Sequence, residues 1–122
     1  KKLNLKCGIF INKDISLQDE ANVLYNSNIA INIHDAYTRT VGCNYNERTF
    51  KSLGLTGFLI SDKHTLLEKD FPDLPMAQNA KDMSELIIQY MDQDLTEIKE
   101  KNRLDILHNH TYINRVKKFI SL

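Results

Sequence analysis

Two short apolar runs constrain the fold more than anything else in the chain: IAINI at residues 29–33 and GFLIS at residues 57–61. Each is continuous, too short for a helix and bounded by polar residues or glycine. Strands of that kind are buried on both faces, as in parallel sheets covered by helices. Parallel neighbours need long crossovers, usually helical, and helical patterns do fall between these runs. Ser16-Leu17-Gln18-Asp19 resembles a capping box with Asp in place of Glu, and its helix should run to about Tyr25 before Asn26-Ser27-Asn28 breaks it. Asn46 can cap a helix through about Leu53, ended by Gly54 or Gly57. His64–Phe71 reads as a short helix, Pro72 and Pro75 bracket a turn, and Leu74–Gln78 reads as a short strand. Met83, Leu86, Ile87, Tyr90 and Met91 make one apolar stripe at helical spacing. Leu95–His108 is another helix. Ile113, Val116, Phe119 and Ile120 mark the last one, with Lys117 and Lys118 suited to its C-terminus. Leu3–Ile11 reads as a further strand, and Asp35–Asn46, polar and aperiodic, as a loop. The expected fold class is α/β, a Rossmann-like parallel sheet flanked by helices, with a helical C-terminus.

A chain of 122 residues suits a single domain, and 42% hydrophobic residues support a core rather than disorder. Acids and bases balance at 16 each, which argues against nucleic-acid binding driven by bulk charge. Cys7 and Cys43 lack metal-ligand spacing and read as free thiols in a cytoplasmic setting. No apolar run approaches the ~20 residues of a membrane helix, and the start carries no signal-peptide pattern. The opening KKLNLKCGIF looks like the inside of a domain, so the expectation is a piece of a longer protein.

In open α/β sheets ligands sit beyond the carboxyl ends of the strands. Three segments fall there: His34-Asp35 and the stretch to Tyr45, then Ser61-Asp62-Lys63, then Gln78-Asn79. The first leads into the helix start at Asn46, where the N–H groups around Glu47, Arg48 and Thr49 can receive a phosphate, helped by Arg48. The plain alternative is that Asn46 is only a cap and Arg48 a surface residue. Neither GxxxxGK[ST] nor GxGxxG occurs. His34 closes a buried strand at the ligand edge and is the one histidine considered for a site. His64 is expected on the surface. Asp62 either accepts from a ligand hydroxyl or caps the following helix. His108 and His110, two residues apart, point away from each other on a helix, so no metal site is expected. His110 is expected to cap or pack at a helix junction. No catalytic set can be assembled from sequence. A phospho-acceptor receiver domain is excluded, because Asn12-Lys13-Asp14 does not supply its acidic pair and no ordered acceptor set follows.

LYNSNIAINIH, NERTFKSLGLTGFLISD, DMSELIIQYM and LHNHTYINRVKKFI occur in that order. Together they resemble the C-terminal domain of GT-B-fold glycosyltransferases, in particular the glycosyltransferase-like family that includes the spore-maturation CgeB proteins. Its marks are an Asn-x-Arg-x-Phe-Glu helix running on to a glycine, a Gly-x-x-Leu-x-Asp strand and a closing His-Thr-Tyr-x-x-Arg. Here they are Asn46, Arg48 and Phe50; Gly57, Leu59 or Ile60, and Asp62; and His110, Thr111, Tyr112 and Arg115. The likeness covers the chain from about Asn22 onward.

The resemblance implies a nucleotide-sugar donor, bound as substrate rather than cofactor, with its diphosphate at Asn46, Glu47, Arg48 and Thr49. His34, Lys51 and Asp62 would lie beside it. No metal is implied, because helix dipole and basic residues offset the diphosphate charge. The His-Thr-Tyr ending would lock the last two helices. Two departures stand out. Related enzymes hold ribose hydroxyls with a Glu after the helix Phe, but the residue here is Lys51, and a cation cannot accept those bonds. A partner acid eight residues earlier would fall at Cys43. The acceptor domain of such an enzyme would precede Lys1, so the isolated chain is expected not to turn over. The expected function is donor binding for transfer of a hexosyl-type group to an unknown acceptor. The alternative is a non-catalytic nucleotide-sugar-binding or protein-interaction module with a decayed site. Missing upstream strands would leave a sheet edge open to self-association.

Overall fold

A computed structural model describes residues 14–121. Helix α1 (Leu17–Tyr25) leads to strand β1 (Ala30–Asn32), and α2 (Ala36–Val41) and α3 (Arg48–Leu55) lead to β2 (Leu59–Asp62). Then come α4 (Thr65–Asp70), β3 (Met76–Ala77), α5 (Ala80–Met91), α6 (Thr96–Asn109) and α7 (Tyr112–Ile120). The strands form one parallel sheet in the order β1-β2-β3, with Ala30 beside Leu59, Asn32 beside Ser61 and Asp62 beside Ala77. The expected α/β class, parallel sheet and helical C-terminus are all present. The expected strand at Leu3–Ile11 and Cys7 lie outside the described residues.

Alternation along β2 divides the core into two layers. Leu59 joins Ala30 and Leu53, with Phe71, Leu74 and Ile106 packed around them. Ile60 joins Phe58 and Leu95, against Met83, Leu86, Ile87 and Tyr90 from the stripe on α5. Helices therefore cover both faces of β2, which is why that run reads as continuous apolar sequence. The other run, IAINI, is not buried on both faces as expected: Ala30 and Asn32 are buried, but Ile31 and Ile33 are exposed. On the first layer the strands change character along their length. Ala30 and Leu59 give way to Asn32 and Ser61, both completely buried. The core thus turns polar toward the carboxyl edge of the sheet.

Local signals explain most boundaries. The Ser16 side chain accepts from the Asp19 amide and starts α1. Asn79 does the same for α5, and Thr111 for α7. Gly57, at φ 80°, ends α3, and a Cβ there would lie 2.8 Å from Cβ of Lys99. Only glycine combines that backbone with that closeness.

Three further expectations need correction. The segment 35–46 is not all loop: α2 lies within it, capped by the Asp35 side chain and closed by Gly42 in the left-handed region. Asn46 is not the side-chain cap of α3. The cap position is Glu47, which makes no capping side-chain bond, and Gly54 lies inside the helix. His64 is not on the surface; it is 2% exposed. It precedes α4 in an extended conformation and is buried among the rings of His34 and Tyr45.

Candidate functional site

Beyond the carboxyl ends of β1 and β2 lies a buried polar cluster. Its floor is Asn32 and Ser61, and α3 lowers the buried Thr49 onto it. Asn32 Nδ2 reaches Thr49 Oγ1 at 3.4 Å, and Asn46 Nδ2 donates to Asn32 Oδ1 at 3.0 Å. Asn46 therefore spends its side chain on the sheet rather than on the helix cap. Its carbonyl still accepts from the Thr49 amide.

On the other side of Asn32 stands His34, 2% exposed. Its backbone N–H donates to both carboxylate oxygens of Asp62, at 3.1 and 3.2 Å, and its Nδ1 lies 2.7 Å from Asp62 Oδ1. A carboxylate only accepts, so this pairing puts the proton on Nδ1 and leaves the Nε2 lone pair toward Asn32 Nδ2, at 3.5 Å. Asp62 does not cap α4; it anchors His34 and takes Arg39 Nε at 3.7 Å. His64 stacks on His34 with ring centroids 4.8 Å apart, and neither of its ring nitrogens has a hydrogen-bond partner. Tyr45 lies against His64 and donates to Asp70 at 3.0 Å. Burial, reinforced by Asp70, pushes the Tyr45 phenol up to about 12.

The family-like segments at 46–50 and 110–115 meet in space. The His110 ring packs against Phe50 and Phe71, at 5.5 and 5.2 Å, and the Arg115 guanidinium lies 4.6 Å over the Phe50 ring. His110 caps the end of α6 and Thr111 the start of α7. His110 thus packs at the helix junction as expected. Beside this junction opens a cleft of about 390 Å³ lined by Tyr45, Glu47, Phe50, Lys51, His110, Tyr112 and Arg115. That size suits a small-molecule ligand.

The seven candidate residues fall into three groups. Asn46, Thr49, His34 and Asp62 come together in the buried cluster. Glu47 and Arg48 are exposed at the start of α3. Lys51 lines the cleft, but its ammonium pairs with Glu20 of α1 at 3.0 Å. Sequence reasoning missed Asn32, Tyr45 and His64 as parts of the site. Asn32 did carry a signal, being a polar residue inside an apolar strand run. His64 carried none.

The fold and site define a class: a parallel α/β domain with its buried polar cluster at the carboxyl edge of the sheet, where such domains hold ligands. The chain belongs to the glycosyl transferase-like family, whose model matches residues 4–121. No curated protein and no solved structure shows significant similarity to it. Among the described residues no group of three or more His, Cys, Asp or Glu is placed to hold a metal, and no helix is long and apolar enough to cross a membrane.

Proposed function

We propose that this chain is the nucleotide-sugar donor-binding part of a glycosyltransferase of GT-B architecture, of the CgeB-like, His-Thr-Tyr-ending type. The donor diphosphate sits against the first turn of α3, near the Glu47 and Arg48 amides and the Arg48 guanidinium. Asn46 and Thr49 hold that turn in place, and His34 and Asp62 form the wall behind it. The carrying observation is the Asn32–Asn46–Thr49 cluster, which fastens the start of α3 to the end of β1. The neighbouring cleft, with Tyr45, Phe50 and Arg115, takes the nucleoside. Transfer to an acceptor belongs to a second domain. Isothermal titration with a panel of nucleoside diphosphates tests the reading. At least one should bind, and Arg48→Ala should weaken it roughly tenfold, as expected for loss of a charge-assisted phosphate contact. No binding, or binding indifferent to Arg48→Ala, counts against it.

One observation favours a second reading, a non-catalytic module with a decayed site. Where related enzymes place a ribose-binding carboxylate, this chain has Lys51, already engaged by Glu20. If the site has decayed, restoring a carboxylate at position 51 improves nucleotide affinity. If the site works in its present form, it does not.

A further inference from the structure

Helix α7 is mounted with its apolar side outward. Tyr112, Ile113, Val116, Phe119 and Ile120 cover an arc of about 120° at 3.6 residues per turn. They are between 53% and 79% exposed. The polar side turns to the body instead. Asn114 donates to the His108 carbonyl and meets the Thr111 hydroxyl, and Arg115 lies over Phe50. A helix of nine residues is marginal alone in water. Its exposed apolar arc is free to meet an apolar phase.

Charge says which phase. α7 carries Arg115, Lys117 and Lys118 and no acid, although acids and bases balance over the whole chain. At helical spacing Arg115 and Lys117 flank the apolar arc on either side, with Lys118 behind. An apolar face bordered by cations is the pattern of a helix lying in the interface of an anionic membrane. We infer that α7 is a membrane-surface helix. Phe119, Ile120, Ile113 and Val116 enter the headgroup boundary, while Lys117 at the edge of the arc meets anionic lipid phosphates.

The test is cosedimentation of the 122-residue chain with phosphatidylcholine vesicles, and with the same vesicles containing phosphatidylglycerol. The expected result is binding to the acidic vesicles only, weakened by salt. Lys117→Gln should lower partitioning roughly fivefold, and more than Lys118→Gln, a position on the far side of the helix. Phe119→Ser with Ile120→Ser should abolish it, with an unchanged urea midpoint because both side chains are exposed. Three results overturn the inference: no binding to either vesicle, equal binding to both, or a lipid-independent dimer that Phe119→Ser dissolves. The last would make α7 a protein-docking helix.

Discussion

The side-chain amide of Asn46 donates to Asn32 across 3.0 Å, and through this bond the first turn of α3 is held over the end of β1. Asn32 ends β1, Asn46 lies in the connection just before α3, and both are at least half-buried. Asn32→Ala strips partners from Asn46, Thr49 and His34 at once and leaves a small void. It should destabilise the fold by roughly 2–3 kcal/mol, the cost of orphaned buried polar groups plus lost packing. Urea unfolding measures this. A change below about 0.5 kcal/mol, the size of a surface effect, would mean that the cluster does not hold α3.

Tyr45 gives the fold an alkaline limit. Its pKa is pushed up to about 12, first by burial and then by its bond to Asp70, from an ordinary value of 10.0. The folded state therefore favours the neutral phenol. That contribution is whole below pH 10, where the unfolded chain is also protonated, and is lost as pH rises toward about 12. Tyr45→Phe should cost about 0.5–1.5 kcal/mol at neutral pH for the lost bond. Its unfolding midpoint should then fall less steeply than that of the parent between pH 9 and 11. Parallel pH profiles would show that the phenol does not titrate with folding.

Lys51 and Glu20 form a pair in which each side chain is about one-third exposed. Such pairs contribute about 0.2–1 kcal/mol. Lys51→Glu sets two carboxylates against each other and should loosen α1 from α3, and adding Glu20→Lys should recover most of the loss. A double-mutant cycle by chemical denaturation reads the coupling. If the reversed pair recovers nothing, the contact is incidental. The Lys51→Glu, Glu20→Lys chain is also the proper background for testing a carboxylate at position 51, because its stability is matched.

What the sequence disclosed tracks how local each interaction is. GFLIS reads as a buried strand because its burial is continuous, and Ser16 reads as a helix start because its side chain caps the nearby Asp19 amide. AYTRTV, which forms α2, reads as loop because it has no apolar stripe, although its Asp35 cap and Gly42 stop are both visible in sequence. Asn46 suits a cap by type, but its side chain goes to Asn32, fourteen residues away, a choice that only the folded sheet can set. His64 reads as a surface histidine at a helix start. Its burial depends on His34 and Tyr45, which no spacing rule brings together.

The central claim is that an anionic ligand sits on the first turn of α3. Amide chemical-shift mapping during titration with a nucleoside diphosphate tests it most directly. The account predicts the largest perturbations at the Glu47, Arg48 and Thr49 amides, with smaller ones at Tyr45 and Arg115 along the cleft. Perturbations centred elsewhere, such as the separate cavity under Pro72–Pro75, or none at saturating ligand, would contradict it.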